Sequence, residues 1–188
     1  LFVGVFLAML YLATGRVAYP VAGLSLFAAG SILVYFAVPR IQTRVTSWLS
    51  PFDDPQNTGY QMVQSLYALG DGGVLGPGLG RGFLLNDAGQ TLIPELRTDF
   101  IFSAIANELG YVGALGVLVL FVLVACRGFM IAAQANDGFS KLLAGGLTIV
   151  LALQAFLIVG GIVRLVPLTG VTLPFMSYGG SSVVTNFG

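Results

Sequence analysis

Three stretches of this chain are too long and too apolar for an ordinary soluble domain: residues 21–38, 100–125 and 142–163. A helix needs about 20 largely apolar residues to cross a bilayer. In lipid every backbone N–H and C=O must find a partner within the protein, which leaves helices or a closed barrel as spanning structures. Runs of this length without strict alternation select helices. Across the whole chain 56% of residues are hydrophobic and only 9% charged, which extends the conclusion to the full sequence. The expected fold is all-α, a polytopic transmembrane helix bundle forming a single membrane domain over residues 1–188. Residues 1–14 read as the end of a spanning helix, closed by Gly15 and Arg16. Pro20 stands at a helix-start position before the 21–38 span, and Pro39-Arg40 follows it. Residues 173–188 read as the start of a last spanning helix, so the chain reads as an internal segment of a larger membrane protein.

Between the first and second full spans lies a polar, glycine-rich loop, residues 40–99. Within it Met62, Leu66 and Leu69 recur at helical spacing beside Val63 and Tyr67. That pattern predicts a short amphipathic helix, either lying on the membrane surface or packed against the bundle.

Several chemistries are excluded. Eight basic and eight acidic residues cancel, so there is no polyelectrolyte signature for nucleic acid. Cys126 is the only cysteine, which rules out an internal disulfide and a cysteine-cluster metal site. With no histidine, proton transfer must fall to a carboxylate, tyrosine, lysine or water.

The candidate chemistry is concentrated in a few motifs. Pro94-Glu95-Leu96-Arg97-Thr98-Asp99-Phe100-Ile101-Phe102 sets two carboxylates and an arginine at the threshold of a span. An ionisable group there either meets a substrate whose tail is in lipid and whose head is in water, or merely marks where the helix leaves the bilayer. Counting spans brings Asp99 to the same membrane face as Ser177-Tyr178-Gly179-Gly180-Ser181-Ser182. This second motif has two glycines that allow close backbone approach and hydroxyl donors around them. It suits an anionic group at a helix N-terminus, or close packing of helices through small residues. The loop Gly76-Pro77-Gly78-Leu79-Gly80-Arg81-Gly82 lacks the Lys-Ser/Thr of a nucleotide loop and offers Arg81 as a diphosphate contact. Glu108 lies nine residues beyond Asp99, about 13.5 Å along a helix, too far to form a close acid–base pair with it. Its expected role is structural, paired inside the bundle with a group such as Gln154, or proton-linked. Raw charge counts of the loops give no orientation.

Taken together, Pro94-Glu95, Thr98-Asp99-Phe100-Ile101-Phe102, Glu108-Leu109-Gly110-Tyr111-Val112-Gly113, Gly73 to Gly80 and Leu173 to Ser182 resemble the SEDS family (shape, elongation, division and sporulation), the FtsW/RodA/SpoVE polymerases of bacterial cell walls. The blocks occur in family order over nearly the whole chain. The resemblance implies a ten-helix multi-pass protein of the bacterial cytoplasmic (inner) membrane, with the long loop extracytoplasmic. It implies a peptidoglycan glycosyltransferase that polymerises lipid II into glycan strands, for division or elongation. Its essential aspartate falls on Asp99. Arg97 stands where many relatives have His, Asn107 replaces the first acid of a common Glu-Glu pair, and Gly160-Gly161 replace a frequent Asn-containing stretch.

The implied reaction joins a sugar hydroxyl to the anomeric carbon of a glycan carried on undecaprenyl diphosphate. Asp99 would be the catalytic base. Glu95, Arg97, Thr98, Arg81, Ser177, Tyr178, Gly179, Gly180 and Ser181 would bind substrate. The diphosphate charge would be met by Arg97, Arg81, Arg44 or Arg164, or by a divalent cation; no other cofactor is expected. Lipid II, membrane lipids and a class B penicillin-binding protein transpeptidase are the expected partners. Two other readings stay open on the sequence: a lipid II flippase with a polar path past Glu108, Gln154 and Arg164, and a membrane scaffold that recruits the transpeptidase.

Overall fold

The structure, a computed structural model, describes residues 1–82, 84, 91–93, 96 and 98–178. Its regular elements are helices in chain order: α1 (Phe2–Thr14), α2 (Ala18–Ala37), α3 (Pro39–Leu49), α4 (Tyr60–Asp71), α5 (Ile101–Gln134) and α6 (Gly138–Ile162). Among the described residues α2, α5 and α6 are long and apolar enough to cross a membrane, and α1 is a shorter apolar helix. The chain divides into two units: Leu1–Gln42 with Leu120–Gln154, and Thr43–Val119 with Ala155–Gly188.

The first unit is assembled through small residues. A side chain at Gly23 would meet Leu7, at Gly145 it would meet Leu12, and at Gly146 it would meet Met9, so α1 lies close to both α2 and α6. Gly128 of α5 faces Thr148 of α6, whose hydroxyl donates back to Ala144 O at 2.7 Å. Lipid tails are as apolar as leucine, so close van der Waals contact of this kind has to hold such helices together. Gly15 ends α1 in the left-handed conformation (φ 66°), its N–H bonding Tyr11 O. Asp137 caps the start of α6, accepting the Ser140 N–H at 2.8 Å. That backbone bond, joined by one from the Ser140 hydroxyl, holds the Asp137 carboxyl below its ordinary range. α2 buries no residue; its apolar side chains face outward, as suits a helix in lipid.

The second unit holds most of the buried core. α4 buries Met62, Val63, Ser65 and Ala68, so it is packed against protein. Its partner is the first part of α5, where Phe102, Ser103, Ala106 and Asn107 form one buried face. Two polar contacts fix the pairing: the Ser65 and Ser103 hydroxyls at 2.7 Å, and Asn107 Nδ2 donating to Ala68 O at 2.9 Å. Asp54 closes the turn before α4, accepting from Asn57 Nδ2 and from the N–H and hydroxyl of Thr58. The Asn57 amide leads the bonds that hold the Asp54 carboxyl below its usual range.

The helical pattern differs from the expectation in two places. Residues 39–49, read as loop, form α3. Its C-terminus is held from far along the chain: Arg164 donates from Nε to Trp48 O (3.2 Å) and from Nη2 to Leu49 O (2.7 Å). Trp48 Nε1 returns a bond to Arg164 O at 3.1 Å. Arg164 itself sits at φ 64°, a left-handed conformation that a non-glycine residue adopts only when its surroundings demand it. Replacing it with Lys keeps the charge and loses the planar fork. Arg164→Lys should therefore cost about 1–3 kcal/mol of stability, read as a lower melting temperature in detergent; an unchanged melt would show that the clasp is not formed.

The second difference is inside α5, which is two helices joined at Gly110 (φ 69°, ψ −172°). Residues 101–109 form a short segment and 111–134 the long one. The groups freed by this break are met by the glycine-rich loop. Tyr111 N–H bonds Gly73 O (2.9 Å), Val112 N–H bonds Val74 O (3.1 Å), and Gly78 N–H bonds Glu108 O (2.9 Å). A Cβ at Gly76 would collide with Glu108 O, and one at Gly110 with Val74 O. The backbones approach so closely that no side chain fits between them.

Candidate active site

The short segment of α5 carries the candidate site at its start. Thr98 and Asp99 lie in the turn before Ile101, next to fully buried Phe100; Ile162 and Leu173 are fully buried too. Asp99 is half-buried. The chain after α6 folds back onto this turn. Ser177 is buried, accepts the Leu173 N–H at 2.8 Å, and donates its hydroxyl proton to Thr98 O at 2.5 Å. One hydroxyl thus ties the Leu173–Ser177 turn to the residue before Asp99. The turn is tight, with Phe175 at φ 64° and Ser177 N–H on Leu173 O. Through Tyr178 the chain is turn and not helix, so a last helix starting at Leu173 or Ser177 is not seen among the described residues.

Gly170 of this loop lies beside Asp99. It has φ +64°, and a Cβ placed on it would lie 3.6 Å from Asp99 Oδ2. A methyl there would meet the carboxylate at ordinary van der Waals distance, so what reserves this position for glycine is its left-handed backbone. Nothing in the sequence singled out Gly170 beyond its place in a turn. Its neighbourhood with Asp99 arises from a contact across 71 positions of chain.

The proposed site residues therefore fall into three groups. Thr98, Asp99 and Ser177 are brought together, and Tyr178 follows as a largely exposed ring. Glu108 lies near the other end of the short segment, about 10.5 Å of helix beyond Ile101, and Arg81 follows the loop that Glu108 holds. Arg81 N–H closes a turn onto Gly78 O, and the Glu108 carboxylate accepts the Gly80 N–H at 3.0 Å. Glu108 is thus a half-buried clip on the glycine-rich loop; the expectation of a pair inside the bundle with Gln154 gives way to this bond. Arg164, a diphosphate candidate on sequence, spends its guanidinium on the carbonyls of α3, while Arg44 is exposed on that helix. Glu95, Arg97, Gly179, Gly180 and Ser181 lie outside the described residues. Among the described residues no three Cys, Asp or Glu side chains converge as a metal site.

A carboxylate in the turn before a helix, whose neighbour Thr98 is tied to the Leu173–Ser177 turn, can accept a proton from a hydroxyl delivered along the bilayer surface. Known proteins share this arrangement of sequence. A family model described as "Cell cycle protein", that of FtsW, RodA and SpoVE, matches residues 1–188. The chain belongs to the FtsW/RodA/SpoVE family. It is 48% identical over 182 residues to the peptidoglycan glycosyltransferase RodA of Mycobacterium tuberculosis (strain ATCC 25618 / H37Rv), covering 97% of this chain and 38% of that protein. It is 38% identical to stage V sporulation protein E of Bacillus subtilis (strain 168), over 96% of this chain and 48% of that one. A solved structure, described as "Structural coordination of polymerization and crosslinking by a peptidoglycan synthase complex", matches with a TM-score of 0.73 and 26% identity, covering 96% of this chain and 49% of its own. The chain therefore spans about two fifths to one half of the length of these relatives. As a member of this family it is a membrane protein built as a polytopic helix bundle.

Proposed function

We propose that this chain is the catalytic segment of a peptidoglycan glycosyltransferase that polymerises lipid II on the outer face of the bacterial cytoplasmic membrane. The observation that carries the reading is Asp99: a half-buried carboxylate at the entrance of a span, with Ser177 clasping its neighbour and bare Gly170 beside it. Relatives named as peptidoglycan glycosyltransferases support it.

In this reading the sugar hydroxyl of one lipid-linked unit attacks the anomeric carbon of another. The new C–O bond forms as the bond to the lipid diphosphate breaks, with inversion at that carbon. Asp99 takes the hydroxyl proton, and undecaprenyl diphosphate leaves with the electron pair. Thr98, Ser177 and Tyr178 border the reacting groups, with Glu95, Arg97, Gly179, Gly180 and Ser181 assigned to substrate from the motifs alone. Arginine suits the diphosphate because its planar fork can donate two bonds at once. Arg97 is the arginine nearest Asp99 in sequence; Arg81, at the far end of the helix segment, would reach a more distant part of the substrate. The similar synthase complex couples polymerisation to crosslinking, which supports a crosslinking partner for this chain. We assign that partner to a class B penicillin-binding protein transpeptidase.

The test is glycan-strand synthesis from lipid II by the purified full-length protein in proteoliposomes, with and without that partner. Strand synthesis is expected; an inactive protein that instead moves lipid II across the bilayer would replace this reading with the flippase. Glu108 sharpens the comparison. Glutamine keeps an acceptor oxygen for the Gly80 N–H, so Glu108→Gln should retain most polymerisation. Glu108→Ala leaves that donor unmet and should cost about 1–3 kcal/mol of stability. Polymerisation abolished in a well-folded Glu108→Gln protein would show that the acid titrates during turnover.

A further inference from the structure

The glycine-rich loop carries a feature that the glycosyltransferase reading does not use. From Gly72 to Gly80 it has no charged residue, while Asp71 and Arg81 bracket it. Val74, Leu75 and Leu79 are 67%, 77% and 75% exposed. For a loop in water this is an unusual surface, since large apolar side chains clustered at a tip stay hydrated at a cost.

Its position explains the composition. The bonds from Tyr111 to Gly73 and from Val112 to Val74 pin the loop to the first turn of the long α5 segment. That segment is uncharged from 111 to 126, where Arg127 follows. Sixteen helical residues rise about 24 Å, less than the roughly 30 Å thickness of a hydrocarbon layer. With Arg127 at one boundary, Tyr111 and the loop bonded to it stand at or within the other edge of the apolar layer. Tyr111, Val112 and Leu115 share an exposed face of the helix there, and the loop's apolar tip continues that face.

The backbone limits how deep such a loop can sit. Lipid supplies no hydrogen bonds, so irregular backbone at membrane depth needs protein partners. The bonds at Gly73 O, Val74 O and the N–H groups of Gly78 and Gly80, the last to the Glu108 carboxylate, tie the base of the loop to α5, while the tip around Leu75 and Gly76 needs the water and headgroups of the interface for its own backbone.

We propose that residues 72–80 form an interfacial loop whose backbone lies at headgroup level, with the side chains of Val74, Leu75 and Leu79 dipping among the phospholipid acyl chains at the Gly110 end of the span. Arg81 then reaches back to the headgroups, as long cationic side chains do at helix ends. This assignment rests on burial, charge and backbone pairing and is independent of the reaction the protein catalyses.

The experiment uses the full-length protein with its cysteines, Cys126 included, replaced by serine. A nitroxide is placed in turn on Leu75→Cys, Leu79→Cys, Leu115→Cys as a span reference and Asn57→Cys as a loop reference. In phosphatidylcholine–phosphatidylglycerol vesicles, power saturation compares collision with oxygen, which partitions into lipid, and with a neutral aqueous nickel chelate. Positions 75 and 79 should favour oxygen over nickel several-fold, matching 115, while 57 shows the reverse. Nickel exceeding oxygen at either loop position would place the loop in water and overturn the proposal. Immobilised spectra shielded from both reagents would overturn it too, by showing that protein covers the tip.

Discussion

Asp99→Asn should lower glycan polymerisation by a factor of about 10²–10⁴, the usual contribution of a positioned general base. Asparagine has nearly the same shape and cannot accept the hydroxyl proton. The Ser177 bond to Thr98 O is made to the backbone and survives the change. Membrane insertion and the melting temperature should therefore stay near those of the parent, which separates lost chemistry from lost folding. The measurement is strand length and rate from lipid II in proteoliposomes. A variant that polymerises at the parent's rate would remove Asp99 from the catalytic role.

The second large effect is expected at the break in α5. Gly110 combines φ 69° with ψ −172°, a region open essentially to glycine alone. Alanine there carries about 1–3 kcal/mol of backbone strain. Its Cβ would also collide with Val74 O and lie 2.5 Å from Gly76 N, both backbone atoms that cannot swing aside. Gly110→Ala should therefore melt well below the parent and lose polymerisation, because the loop must leave the break or the helix must straighten. Gly116 is the control: it is helical, with nothing within 4 Å of a new Cβ. Gly116→Ala should be neutral or more stable by up to about 1 kcal/mol. Equal melting temperatures for the two variants would mean that the break is not maintained by its close backbone contacts.

These two sites differ in how they could be read from sequence. Asp99 stood out because a carboxylate at the edge of an apolar run is rare and because its surrounding motif matches the family. The helices α2 and α6 were legible for the same reason, since hydropathy acts over a whole span and needs no tertiary detail. Gly110 was hidden inside an apolar run in which an isolated glycine is tolerated without a break. What makes it a break is the loop at 73–78, some thirty residues upstream. Glu108 was likewise legible as an unusual acid but not in its partner, because a bond to a backbone N–H leaves no trace in side-chain pattern. Helix α3 is hard to see in the sequence: it is short and carries Arg40 and Arg44, and its C-terminal cap comes from Arg164 at a distance of 116 residues. Gly170 and the Ser177 clasp are products of the chain's return and could be placed on a membrane face by counting spans, but not beside a particular atom.

The break at Gly110 also has a mechanical side. A continuous helix acts as a stiff rod, so a tilt imposed by bilayer thickness or tension at one end swings the other. Here the rod is interrupted near one end, and residues 101–109 are fastened instead to α4 through Ser65, Ala68 and their partners. The break is braced from outside, since the loop at 73–80 bonds Glu108 on one side of Gly110 and Tyr111 and Val112 on the other. A displacement of the long segment would therefore reach the segment that follows Asp99 through the loop's backbone bonds and not along a continuous helix.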